Sequence, residues 1–158
     1  MSDQPWQSDH WSVSPHNFDP DVIVEPHHVE LHDITIRDGE ECADLAYNVD
    51  DKVRIAEALA TVGLRRTELF LTVPGWLEAV RAILARQLPL DIYVDWNPGR
   101  VEKAIELGVR HIMVWYLIGE HQQIHYLGKS RAELEQQAAD QIQAAVAAEC
   151  HVNLFMPE

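Results

Sequence analysis

The chain has 158 residues, which is enough for one domain with a buried core. Its formal net charge of −14 at pH 7 argues against a nucleic-acid partner, because the phosphate backbone would be repelled. No apolar run approaches the roughly 18 residues that a bilayer-spanning helix needs, so we expect no membrane span.

The two cysteines, Cys42 and Cys150, are far apart and stand in no spacing typical of a metal site. They indicate a reducing compartment without a disulfide framework. The first residues lack the basic and apolar regions of a secretion signal. We therefore expect a cytoplasmic protein.

Residues 1–29 are polar and irregular, with prolines that break any regular period. We divide the chain into this N-terminal extension, residues 1–29, and an α/β domain, residues 30–158. The extension contains aromatic residues and histidines, namely Trp6, Trp11, Phe18, His10, His16, His27 and His28. Because nothing in the pattern fixes the geometry of these histidines, we interpret the extension as a flexible surface segment rather than a metal site.

Residues 31–41 are typical of a strand that runs into a charged turn. Apolar and β-branched residues favour a buried strand over residues 30–37. Arg37 and Asp38 then come together, followed by Gly39, which lets the backbone turn. A guanidinium and a carboxylate at the end of a strand are typical of a ligand site in an α/β protein. The alternative is an Arg–Asp pair that only ties down a surface turn.

Strands and helices alternate along the rest of the chain. The predicted strands cover residues 30–37, 67–73, 90–96, 111–118 and 151–155. The predicted helices run from Asp50 or Asp51 to about Val62, from after Gly75 to about Arg86, from Asn97 and Pro98 to Gly108, and onward from a capping box at residues 130–133, which follows a loop over residues 119–129.

This alternation predicts an α/β fold with a parallel sheet covered by helices. It does not separate a segment of a (β/α)8 barrel from an open doubly wound sheet of about five strands, which is a complete fold at this length. A full barrel takes about 250 residues. A barrel segment would therefore leave two unpaired sheet edges.

The sequence Asp33-x-Thr35-x-Arg37-Asp38-Gly39-Glu40 resembles the D-x-T-L-R-D-G-E-Q signature of the isopropylmalate synthase, homocitrate synthase and hydroxymethylglutaryl-CoA lyase family. The resemblance extends over roughly residues 29–158. It implies the N-terminal part of a (β/α)8 TIM barrel, with about four and a half βα units. Family members bind a divalent metal and make or break a carbon–carbon bond between an acyl-CoA enolate and a 2-oxo acid or related carbonyl.

The resemblance also implies roles for residues near the signature. Arg37 aligns with the arginine that stabilises the enolate oxygen, and Asp38 with the carboxylate that binds the metal, which would be Mg²⁺, Mn²⁺ or Zn²⁺. Glu41 stands where the family usually has glutamine, and it adds a negative charge beside the site. Glu68 resembles the glutamate of the family's I-E-x-x-x-P stretch. We assign Glu41 and Glu68 to substrate binding, with a structural carboxylate as the alternative for Glu68.

Three further positions enter through the resemblance. His121 is the candidate for a substrate-binding histidine after strand four, and His125 competes with it. A metal pair formed by these two histidines is the less favoured alternative. Glu158 resembles a catalytic glutamate of strand five. Asp95 stands at a strand end where the family often has a basic residue, so a substrate-contacting cation is missing or supplied elsewhere.

The family's His-x-His pair, which completes the metal site, has no counterpart in this sequence. We therefore expect the metal to be completed by ligands beyond this chain. The first functional reading is an acyl-CoA-dependent synthase of the isopropylmalate or homocitrate type, or part of one, with a hydroxymethylglutaryl-CoA-type lyase as its alternative. The second is a non-catalytic binding or regulatory protein built on a barrel remnant. We expect a homo-oligomer.

Overall fold

A computed structural model of the chain describes residues 13–22 and 28–157. Contacts divide the chain into two units, Met1–Glu30 and Leu31–Glu158. The described part of the first unit contains a short 3₁₀ helix, Pro15–Phe18, capped by the side chain of Ser14. The aromatic residues and histidines of the extension that fall outside the described residues are Trp6, Trp11, His10 and His27.

The second unit is built on five parallel strands that lie in the order in which they occur in the chain. The strands are β1 His32–Asp33, β2 Arg66–Leu69, β3 Asp91–Asp95, β4 His111–Trp115 and β5 His151–Phe155. A doubly wound sheet reverses its strand order at a switch point, whereas this sheet never does. The open-sheet alternative is therefore wrong, and the chain forms the front segment of a (β/α)8 barrel.

Helices follow the strands. They are α1 Thr35–Glu41, α2 Val49–Thr61, α3 Trp76–Ala85, α4 Val101–Leu107, α5 Glu120–Gln122 with a π-helix Gln123–Leu127 directly after it, and α6 Arg131–Ala147. Within the described residues, no helix is both long enough and apolar enough to cross a bilayer.

The two faces of the sheet differ in chemistry, as strand β4 shows. Ile112 and Val114 are fully buried in the apolar core between the sheet and the helices. Successive side chains of a strand alternate between faces, so His111, Met113 and Trp115 point to the other face, which is the inner face of the barrel. The outer face thus supplies the core, and the inner face is free to carry polar and aromatic groups.

The predicted first strand is wrong in extent. Only His32–Asp33 is a strand, and the chain enters helix α1 at Thr35. The Asp33 carboxylate explains this early turn, because it accepts hydrogen bonds from both Thr35 N (3.0 Å) and Thr35 Oγ1 (2.8 Å). Such local side-chain bonds offer the backbone an alternative to the strand ladder. The signature residues therefore lie on a short helix rather than in an open turn.

Other predicted boundaries also need correction. Helix α2 is capped by Asn48, and Asp51 is the reciprocal partner in its capping box rather than the cap. Helix α4 begins at Val101 because the carbonyl of Asn97 accepts bonds from Arg100 N and Val101 N in a turn of its own. The predicted loop over residues 119–129 contains helix α5 and the π-helix.

Several local predictions are confirmed. The capping box of α6 is formed by Ser130 and Glu133, and β5 covers residues 151–155 as predicted. Gly108 ends α4 with a φ of +111°, a conformation that favours glycine.

Helix α1 is held against the rest of the domain by two tight contacts. Glu40 forms an ion pair with Lys52 of α2, and only 7% and 1% of these side chains is exposed. Such a buried pair is costly to break, because removing one partner leaves the other charged and buried. Gly39 packs so closely on the ring of Tyr47 that a side chain at position 39 would fit only if that ring moved. These contacts determine where the neighbouring Arg37 and Asp38 lie.

Replacing Gly39 tests this packing. In Gly39→Ala the new Cβ would lie 2.5 Å from Tyr47 Cε2 and Oη, so we expect a loss of about 1–3 kcal/mol in the free energy of unfolding. Gly119→Ala is the matched control, because its Cβ meets its nearest neighbours, atoms of Gln122, at an ordinary 3.8 Å. Urea denaturation measures both variants. Equal stability of Gly39→Ala and the unmodified protein would show that α1 does not depend on this contact.

Candidate functional site

Arg37 lies at the carboxyl end of the sheet and is surrounded by carboxylates. Its Nε donates to Glu68 Oε2 at 3.1 Å, and its NH1 lies 2.6 Å from Asp38 Oδ1 and 3.8 Å from Glu41 Oε2. Only 12% of the Arg37 side chain is exposed. The carboxylates come from α1 and from β2, so the contacts hold the guanidinium in one orientation.

Aromatic rings cover the guanidinium. Its Cζ lies 5.5 Å from the centre of the Phe70 ring and 5.8 Å from that of Trp115, distances typical of cation–π contacts. Phe155 meets Trp115 edge to face at 4.7 Å. Phe70 follows the last residue of β2, and Trp115 and Phe155 end β4 and β5. The carboxyl ends of strands are where barrel proteins build their sites.

Glu68 links this cluster to the interior of the barrel. Its carboxylate is buried, with Oε2 on Arg37 and Oε1 2.8 Å from His32 Nε2. The His32 ring in turn lies 4.7 Å from the Tyr93 ring. A buried carboxylate between two basic side chains is fixed in position, which supports the assignment of a structural role to Glu68 alongside any contact with a ligand.

A row of rings continues across the inner face. Tyr93, His111 and His151 are register partners on β3, β4 and β5, and their rings follow one another at 4.8 and 5.0 Å. Burial lowers the pKa of His111, as do His151 and Arg66, and Asp91 opposes them. Sequence reasoning missed His32, His111 and His151. Their strand positions were available, but only the register shows that they share one face.

Asp38 and Glu41 are more open than Arg37. The exposed fractions of their side chains are 48% and 53%. An exposed carboxylate is a suitable hard ligand for a divalent cation. Among residues 13–22 and 28–157, however, no group of three or more His, Cys, Asp or Glu side chains is arranged to hold a metal ion. The described residues therefore offer a ligand but not a complete site.

Asp95 has a structural contact. Its Oδ1 accepts a hydrogen bond of 2.7 Å from Leu71 N, and Arg100 donates to the carbonyl of the same Leu71. Burial raises the pKa of Asp95, while the hydrogen bonds and the nearby Arg100 act in the opposite direction. The acidic residue at this strand end thus ties β3 to the segment that follows β2.

The two remaining candidates are His121 and Glu158. His121, in α5, is exposed and contacts His125 with ring centres 4.6 Å apart. The two histidines line a cavity of about 430 Å³ together with Leu117, Gln122 and Tyr126. Glu158 lies outside the described residues, so its catalytic role stays a prediction.

Comparison with known proteins identifies the class. Residues 28–158, which include the whole barrel segment, match a family model described as HMGL-like. The chain therefore belongs to the HMGL-like family, as the signature around Arg37 indicated.

Curated relatives in this family are synthases. The chain is 29% identical to homocitrate synthase AksA of Methanopyrus kandleri, over 76% of this chain and 31% of the relative. It is 30% identical to a probable 2-isopropylmalate synthase of the same organism, over 76% of this chain and 25% of the relative. The chain thus spans a third or less of the length of these two relatives.

The fold is shared with a solved lyase. The crystal structure of hydroxymethylglutaryl-CoA lyase from Pseudomonas aeruginosa superposes with a TM-score of 0.72 and 23% sequence identity, covering 83% of this chain and 46% of the lyase. This likeness confirms the barrel segment, and at this identity it concerns the fold alone.

Replacing Asp95 tests its structural contact. In Asp95→Ala the buried Leu71 N loses its acceptor, so we expect a loss of about 1–3 kcal/mol in the free energy of unfolding. Asp95→Asn keeps an acceptor oxygen and is the matched control.

Asp95 also makes stability depend on pH. Because the pKa of its carboxyl group is raised in the folded state, the free energy of unfolding falls as pH rises from the ordinary value of 3.8 through the folded-state value. Asp95→Asn should remove that part of the pH dependence, and urea titrations between pH 4 and 7 would measure it. An unchanged slope would contradict this account of Asp95.

Proposed function

We propose that the chain is the front part of an acyl-CoA-dependent synthase that condenses an acyl-CoA with a 2-oxo acid, after which water hydrolyses the thioester and releases CoA. The observation that supports this most directly is the Arg37 guanidinium, which is held by Glu68 and covered by rings at the carboxyl end of the barrel strands. The match to homocitrate and isopropylmalate synthases supports the same reaction class.

Arg37 would stabilise the enolate. Removal of a proton from the acyl-CoA leaves negative charge on the thioester oxygen, and a fixed guanidinium can donate to that oxygen without reorganising. Glu68 positions Arg37 by holding its Nε, and the enolate oxygen would be bound by the NH groups, with Asp38 sharing NH1. Glu41 lies 3.8 Å from NH1 of the same guanidinium and would contact the substrate there.

Asp38 would contribute an oxygen ligand to a divalent cation. Its carboxylate is half exposed beside Arg37, which suits this role. The remaining ligands would come from outside the described residues. A bound cation would supply positive charge for the oxygens of the 2-oxo acid. His121 and Glu158 remain proposed contributors to substrate binding and catalysis.

Two other functions are outcomes of the same test. A hydroxymethylglutaryl-CoA-type lyase would cleave a carbon–carbon bond, the reverse of the condensation, on the same groups. A binding or regulatory protein would show neither reaction, and the excess of carboxylates around Arg37 is the feature that favours it.

The test is CoA release by the intact protein that contains this chain. We expect release from acetyl-CoA that depends on both a 2-oxo acid and Mg²⁺ or Mn²⁺. Arg37→Lys should lower kcat about 100-fold or more, because lysine cannot reproduce the oriented donors. Arg86→Lys, which changes a surface pair with Glu57, is the matched control and should be neutral.

The alternatives give different results. Release of acetyl-CoA from hydroxymethylglutaryl-CoA without condensation would identify a lyase. Absence of both reactions would favour the binding protein, and full activity of Arg37→Lys would contradict the role given to Arg37.

A further inference from the structure

We propose that Phe70, Trp115 and Phe155 form the wall on which the side chain of the 2-oxo acid packs, so that the acceptor has an apolar side chain rather than a second carboxylate. This aromatic wall is defined by those three residues. This role rests on the proposed synthase function and distinguishes acceptors that end in an apolar group from acceptors that end in a second carboxylate.

The three rings of the wall lie on the inner face of the sheet. On β4, Ile112 and Val114 pack in the core on the outer face, so Trp115 belongs to the inner face. Phe155 is the register partner of Trp115 and therefore shares that face. Phe70 lies 6.4 Å from Trp115, between ring centres. The three rings thus form one continuous surface at the open end of the barrel segment.

The wall lies beside the guanidinium of Arg37, which would hold the enolate. The guanidinium of Arg37 lies 5.5 and 5.8 Å from the Phe70 and Trp115 rings. An enolate held by Arg37 must be attacked within a few ångströms of that guanidinium, since reacting atoms approach to about 3–3.5 Å. The side chain of the acceptor then extends along the wall. Phe155 meets Trp115 edge to face and therefore lies at the far end of that surface.

The charged groups near the wall distinguish the two kinds of acceptor. A second carboxylate on the acceptor would need a cationic partner when it leaves water. Among residues 13–22 and 28–157, the two arginines at this end have other partners: Arg37 contacts three carboxylates and is the group proposed to hold the enolate, and Arg100 contacts the carbonyl of Leu71. Three aromatic rings offer no hydrogen-bond donor in this role except the indole N–H of Trp115. The wall therefore suits a branched or aromatic apolar group.

Two 2-oxo acids of similar size provide the test: 4-methyl-2-oxopentanoate, which ends in an isopropyl group, and 2-oxoglutarate, which ends in a carboxylate. Binding to the protein is followed by NMR on the Trp115 indole N–H resonance, assigned by its loss in Trp115→Phe. We expect the apolar acid to bind at least tenfold more tightly than 2-oxoglutarate and to shift this resonance.

A charge placed in the wall should change the preference. In Phe155→Lys the new ammonium gives 2-oxoglutarate a partner. The affinity of 2-oxoglutarate relative to that of the apolar acid should therefore rise at least tenfold. Met156→Lys is the matched control, because it adds the same charge one residue later at a more exposed position outside the wall. Both substitutions fall at exposed positions, and circular dichroism checks that the fold is retained.

Each result separates the two proposals. Equal affinities, tighter binding of 2-oxoglutarate, or equal effects of Phe155→Lys and Met156→Lys would overturn the aromatic wall and leave the synthase function standing. If neither acid binds and Arg37→Gln leaves the rate of CoA release unchanged, both the wall and the proposed function are overturned.

Discussion

The contact between Arg37 and Glu68 is the interaction on which the arrangement of the site depends. It joins helix α1 to strand β2 across 31 residues of sequence, with both side chains largely withdrawn from water. A buried guanidinium and a buried carboxylate each need the other, because either alone would keep an uncompensated charge. Together with the contacts of Glu40 and Gly39, the pair fixes α1 against the sheet, and with it the direction in which Asp38 and Glu41 point.

The sheet separates stability from function by its two faces. Its outer face buries Val and Ile side chains against the helices, which supplies the core. Its inner face carries Glu68, the row of rings from Tyr93 to His151, and the aromatic wall at the carboxyl end. A closed barrel usually fills this space with branched apolar residues. The polar and aromatic inner face of this segment is thus where we propose that ligands bind.

Local patterns in the sequence predicted the parts of the fold that local interactions decide. The capping box at Ser130 and the strand over residues 151–155 depend on neighbouring residues, and both are confirmed. Helix α1 was missed because the hydrogen bonds from Thr35 to Asp33 outweigh the β propensity of the residues around them. The role of Asp95 and the neighbours of Glu68 depend on strand order and register, which alternation alone does not specify.

The most direct test of this account is the coupling energy between Arg37 and Glu68. A double-mutant cycle with Arg37→Met and Glu68→Gln, measured by urea denaturation, compares the two single variants with the double variant. We expect a coupling of about 1.5–3 kcal/mol, as for a hydrogen bond to a charged group with little exposure to water. Additivity of the two single-variant effects to within about 0.5 kcal/mol would mean that the two residues do not stabilise each other. The arrangement of the site would then depend on another contact.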